Sequence, residues 1–293
     1  MKYHIFSTFF LFFAGLLTAG VVPLRAQEVD QQASIAAEPP AEQRESTNSS
    51  IVVNPQQQAW MEEQAVLRAT YRGQIEEYRK AEKNFFLAKT DYQQLQTLTA
   101  LESLLGSTKT AFRLRGDVLH TYFDIARYEV LLSEGVDEAK KAEALQQIEV
   151  RKSELSQHIA QVSSATTREE VAALSGSFAS IAPGIRSTTY FTLGMLRVGK
   201  LQAVYDKSQI LKESLVSYQQ TEPVSQVISA QRERAVAELD TRFESAHAVL
   251  IEQQTANITG LSESNYSRLR EDLGGVYSDL SRGIRYLTEL LQL

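Results

Sequence analysis

The sequence predicts an all-α protein: an elongated antiparallel helical bundle, or coiled coil, of about six helices that follows a signal peptide and a disordered spacer. Three observations predict it. Glycine and proline are scarce, 14 and 6 in 293 residues, whereas a sandwich or barrel needs frequent turn residues. Apolar residues recur every seven positions in two long stretches. The chain opens on one apolar run followed by a polar stretch, and no other run approaches membrane length.

Lys2 precedes an apolar run from Ile5 to Val22, and Pro23 and the small Ala26 follow before Gln27. That order is the order of a secretory signal, with cleavage expected after Ala26. Leu24 is larger than the residue favoured near such a site. The rival reading is an uncleaved anchor, because ~18 residues reach the lower edge of a membrane span. Export, to the periplasm or the outside, is the expectation on either reading.

Residues 27–54 are rich in Gln, Glu, Ser and Ala and contain the Pro39-Pro40 pair. Such a composition cannot bury enough apolar surface to fold alone. The expected organisation is therefore a signal over 1–26, a disordered polar linker over 27–54 and a helical domain over 55–293.

Pro55 suits the first turn of a helix. From about Gln56 to Leu105 one long rod is expected. Tyr71, Tyr78, Phe85 and Tyr92 lie seven apart, and Leu67, Gln74, Ala81, Ala88 and Leu95 form the companion series. Together they make an a/d seam. This seam is either an internal packing surface or an exposed aromatic strip for a partner.

Gly106-Ser107 is expected to end the rod. A second helix runs from about Thr108 to Ser133 and stops at Gly135. Asp137 caps a third, to about Val162, with Leu145, Ile148, Leu155 and Ile159 facing inward. Thr167 and Glu170 have the spacing of a capping box and start a fourth. The stretch Ser175 to Gly184 is expected to break or kink it, since Pro183 and Gly184 suit a helix interior poorly. A further helix runs from Ile185 to about Tyr218, another from Pro223 to about Ala256, and the last from about Ser262 onward. In the last, Tyr266, Leu273, Leu280 and Leu287 form one heptad series. Leu269, Val276, Gly283 and Leu290 form the other. Leu273, Leu280, Gly283 and Leu287 are thus candidate packing or partner positions. Gly283 predicts a close crossing, with one of the aromatics between Tyr71 and Tyr92 as its expected neighbour.

Composition narrows the chemistry. The formal charge is −6, and loss of residues 1–26 removes Lys2 and Arg25 and no acid, giving −8. That balance is poor for nucleic acid, whose phosphates demand Lys and Arg. The absence of cysteine removes disulfides, thiolate ligands and thiol nucleophiles. There is no Gly-rich phosphate loop, Gly-x-Ser-x-Gly or His-Glu-x-x-His.

Carboxylate-x-x-His occurs at Asp117/His120 and Glu244/His247, a spacing used in carboxylate-bridged metal sites of bundles. A helical wheel turns both pairs away from the inward stripes, so no metal and no cofactor is expected. Glu154/His158, one turn apart, read as a solvated pair. Arg115 and Glu129 fall on the second helix's apolar arc and read as an ion pair or as side chains stretched along the bundle edge.

The sequence of signal, spacer, long helix and bundle resembles exported helical coiled-coil proteins of bacterial envelopes. The expected function is a non-enzymatic structural or interaction role, as scaffold or adaptor. It would use a protein partner on helical surfaces, with a second copy of the chain among the candidates. Membrane contact is expected only through the N-terminal segment, if it is uncleaved. The alternative is a ligand-sensing helical domain held by that segment, and a metal-dependent enzyme is a remote third.

Overall fold

A computed structural model describes residues 54–219, 224–256 and 261–293. The stretches expected to be a signal and, but for Asn54, a linker lie outside them, as does Pro223. Six helices account for nearly all of the described residues: α1 (Pro55–Leu95), α2 (Leu98–Leu131), α3 (Glu138–Ser164), α4 (Arg168–Gln219), α5 (Gln226–Thr255) and α6 (Glu263–Gln292). Among these residues no strand is present. Each helix packs on its neighbour in sequence, and α4 also packs on α2 and α6. The short connections make successive helices antiparallel.

Local chemistry sets most boundaries. Asn54 accepts from the Gln56 N–H at 3.0 Å and Pro55 opens α1. Asp137 accepts from the N–H groups of Ala139 and Lys140 at the start of α3. Thr167 and Glu170 form the reciprocal pair. The Glu170 N–H donates to Thr167 Oγ1 at 3.2 Å, and the Thr167 N–H donates to Glu170 Oε2 at 3.0 Å. Ser225 and Ser262 cap α5 and α6.

Two expected breaks are absent, and one break falls where none is expected. Helix α2 runs straight through Gly106-Ser107. Gly106 is exposed with nothing near it, so it costs only ~1 kcal/mol of helix propensity, and burial of Thr108, Ala111 and Phe112 beyond it outweighs that. The rod ends ten residues earlier, at Gln96-Thr97. Gln96 adopts φ 50° and donates its N–H to Tyr92 O at 3.0 Å, and Thr97 caps α2 by accepting from the Ala100 N–H at 3.2 Å. Helix α4 is continuous through Pro183-Gly184. Phe178 before the pair and Ile185 after it are both buried, and that burial offsets the ~3 kcal/mol of an interior proline.

Gln96 stands where the left-handed backbone favours glycine. Gln96→Gly is expected to stabilise the protein by ~0.5–1 kcal/mol, read as a raised midpoint in chemical denaturation. A lowered midpoint would mean that the Gln96 side chain contributes more than its backbone strain.

The 52-residue α4 belongs to two cores. Its first half joins α2 and α3 around Phe112, Val162, Ala165, Val171 and Leu174. Its second half joins α5 and α6 around Leu239, Phe243, Leu250, Leu273 and Leu280.

None of the six helices carries a basic residue in its last turn. At the ends of α3, α4, α5 and α6 cations from neighbouring helices take orphan carbonyls instead. Lys109 of α2 donates to Ala165 O, past the end of α3, at 2.5 Å. Lys140 of α3 donates to Gln254 O and, at 3.5 Å, to Ala256 O at the end of α5. Arg232 of α5 donates to Gln219 O of α4 at 3.3 Å and to Leu293 O beyond α6 at 2.9 Å.

Candidate functional site

The heptads of α6 place Tyr266, Leu269, Leu273, Val276, Leu280, Gly283, Leu287 and Leu290 in the interior. Gly283 meets α5, not α1. A Cβ at this position would overlap the ring of Phe243, with Cδ1 at 2.9 Å, and lie 3.2 Å from Leu239 Cδ1. On α1, Tyr78, Ala81, Phe85 and Ala88 are buried against α2. Tyr71 and Tyr92 are half-buried, and Leu95, at the end of the rod, is exposed.

The residues with metal-ligand spacing point to different surroundings. Asp117 pairs with Arg113 at 3.1 Å. His120 pairs with Asp124 at 3.2 Å, and Asp124 also holds Lys152 at 2.7 Å. Those two partners hold the Asp124 carboxyl below the usual range although burial opposes them. Glu244 is exposed, and His247 stacks on Tyr205 with ring centroids 4.6 Å apart. Among the described residues no group of three or more His, Asp or Glu side chains could hold a metal ion.

Two expectations are corrected. Arg115 and Glu129 do not meet: Glu129 pairs with Arg68 of α1 at 2.5 Å. Nor is His158 solvated, for it is 2% exposed, while Glu154 pairs with Arg151. The inward series of α3 lies one position from Leu145 and Ile159. Ala144, His158, Ile148, Leu155 and Val162 are its buried members, spaced as two heptad series.

Arg115 and His158 therefore share one polar layer at the meeting of α1, α2, α3 and α4. The Arg115 guanidinium lies 3.4 Å from the centre of the Phe178 ring and 4.9 Å from that of Phe112, a cation–π arrangement. The same two rings flank His158, at 5.4 and 6.3 Å. Arg115 Nε and Nη2 and both His158 ring nitrogens have no hydrogen-bond partner among the described residues. Burial lowers the Arg115 pKa to about 10, and Tyr78 opposes the shift. The group stays charged at neutral pH. Burial first and then the Arg115 charge lower His158 to about 4, so it is neutral. From α1, Tyr78 donates to Glu82 at 3.5 Å. Its phenol is pushed up by burial and by Glu82, against Arg115. A general base needs an orienting partner and access to its substrate. Among the described residues His158 has no orienting partner, and it is closed off from solvent.

The outer end of α1 and α2 differs. Lys109 reaches Ala165 O, so the α3–α4 turn lies level with Lys109. Leu105 still packs against the core around Val162, Ala165 and Leu174, so the seven residues from Leu98 to Leu104 extend beyond it by ~10 Å at 1.5 Å per residue. On this two-helix projection Leu95 and Leu98 are exposed by 64 and 71%, and Phe86 and Leu87, nearer its base on α1, are exposed as well. Composition gives no signal for the projection, because it depends on where the next hairpin turns. An open depression of ≈ 420 Å³ on α5, lined by Gln226, Val227, Ala230, Gln231 and Arg234, comes from one helix and gathers no convergent polar groups.

No protein-family model, no curated protein and no solved structure matches this chain.

Proposed function

We propose that the chain is an exported, non-catalytic helical protein of the cell envelope that presents helical surfaces to a protein partner. The observation that carries this reading is the α1–α2 projection, where Leu95 and Leu98 are exposed at the tip and Phe86 and Leu87 nearer its base. Exposed apolar groups gathered on a protruding element are characteristic of interaction sites. The signal-like order of residues 1–26 supports export. Among the described residues no helix is long and apolar enough to cross a membrane.

Intact-mass analysis of the protein from its native host, with cell fractionation, tests export. The expected result is a chain beginning near Gln27 and released without detergent. A mass retaining residues 1–26 in the membrane fraction would favour the anchored sensing domain. The partner is tested by in-cell cross-linking with wild type and with Leu95→Ser/Leu98→Ser. One stoichiometric adduct, lost in the variant, is expected. Adducts unchanged by the variant would remove the projection from the proposal.

A further inference from the structure

Among the described residues α1 packs on α2 and on no other helix. Gln64 donates to Ile125 O at 3.4 Å, and Arg68 pairs with Glu129 at 2.5 Å. The pairing is symmetric about the turn. Tyr71 lies against Tyr122, and Tyr78 feels the charge of Arg115. Both pairs are centred on the bond between Gln96 and Thr97.

The turn itself is only those two residues. Gln96 holds φ 50°, a left-handed backbone that is unfavourable for any residue with a branched-off Cβ. A short, strained hinge favours exchange of an element between copies. Here the exchange is simple, because α1 has one neighbour to leave and one to find. Laid on α2 of a second chain, α1 re-forms the same contacts, and the opened turn frees Gln96 from its strain.

The seam supplies an independent argument. Leu95 continues the series of Ala81 and Ala88, which are buried, yet Leu95 is exposed. The chain turns back directly after it, so nothing covers the last position. With α1 exchanged, the two opened turns run past each other at the two-fold axis. Leu95 and Leu98 of one chain then meet those of the other. No charged residue occurs from Tyr92 to Leu101, so the copies do not repel each other there.

We propose that two copies of the chain exchange α1, each α1 packing on the α2 of the other, with Leu95 and Leu98 covered at the crossing. This rests on the reading of the α1–α2 projection as an interaction site and names its occupant.

Because the chain has no cysteine, single-cysteine chains test the exchange. Arg68→Cys and Glu129→Cys, whose native side chains both reach solvent, are mixed in denaturant. They are refolded together at high concentration and treated with a short thiol cross-linker. Each chain carries one thiol, so a link between positions 68 and 129 joins two chains. That link is expected in a dimer identified by size exclusion with light scattering. Arg68→Cys mixed with Glu244→Cys should give none. Gln96→Gly relieves the closed turn in both chains, and should weaken the dimer about ten-fold. From Tyr78 to Arg115 there are five heptads and two residues, so deleting Gln96 and Thr97 joins the two seams in one heptad series. The deletion also removes the turn. That variant should be a dimer at every concentration, with its helical circular dichroism kept.

A wild type that stays monomeric after concentrated refolding overturns the proposal. So does a dimer without the link between 68 and 129, in which the copies would meet without exchange. In either case the projection keeps its role if an in-cell adduct with a different protein depends on Leu95 and Leu98. If no adduct depends on them, the reading of the projection falls as well.

Discussion

Gly283→Leu is expected to destabilise the protein by ~2–3 kcal/mol, a fall in Tm of roughly 5–10 °C for a chain of this size. The cause is geometric. Gly283 occupies a core heptad position of α6, where a Cβ would overlap the Phe243 ring and press on Leu239. Both neighbours are fully buried, so the ring has nowhere to swing. Gly283→Ala gains ~1 kcal/mol of helix propensity but meets the same ring, and should be neutral to destabilising. Gly274, on the same helix, has nothing within 4 Å of where a Cβ would stand. There Gly274→Ala should stabilise by ~0.5–1 kcal/mol. Chemical denaturation of the three variants separates packing from propensity. If Gly283→Leu and Gly274→Ala shift the midpoint alike, the crossing is slack.

Acid is expected to weaken the protein through His158. Its folded pKa, about 4, lies below the 6.5 of an unperturbed imidazole. Between those values the unfolded chain binds a proton that the native chain refuses, so stability falls as pH drops from 6.5 towards 4 and is fully present above 6.5. At ~1.4 kcal/mol per pH unit the ceiling is ~3 kcal/mol. His158→Phe keeps a ring between Phe112 and Phe178 and removes the proton site. Its stability should lose this slope and keep only the part that comes from carboxylates such as Asp124 and Glu170, whose pKa values are lowered. Arg115→Met removes the second cause of the depression. It should raise the His158 pKa, followed by NMR titration, and by analogy with other buried charges it should not destabilise the fold. Parallel stability curves for wild type and His158→Phe between pH 4 and 7 would refute the account.

The helices are legible where sequence spacing alone decides burial. All eight heptad positions of α6 are interior, and Asp137, Thr167 and Glu170 cap as their spacing implies. Expectation and structure part where burial by a distant helix overrides a local preference. Gly106 and Pro183 are helix breakers by propensity, yet Phe112 and Phe178 beside them are anchored in another helix's core. Gln96 carries no turn signature, so the true end of α1 is hidden in the sequence. The Arg115–His158 layer needs the offset between α2 and α3, which one chain's periodicity does not contain. The spacing of Ile148, Leu155 and Val162 with Ala144 and His158 does hold the clue to the buried histidine. The Glu154/His158 spacing points to the solvent side instead.

The cations that cross between helices to reach carbonyl ends have a consequence for how the molecule opens. A helix capped by its own residues can fray one turn at a time, at little free energy and without disturbing its neighbours. The end of α3 depends on Lys109 of α2, the end of α5 on Lys140 of α3, and the ends of α4 and α6 both on Arg232 of α5. Unwinding α5 removes Arg232 and so releases two other termini at once. Local breathing is thereby tied to larger openings, and the bundle should unfold in few, large cooperative units although its contacts are mostly between sequence neighbours.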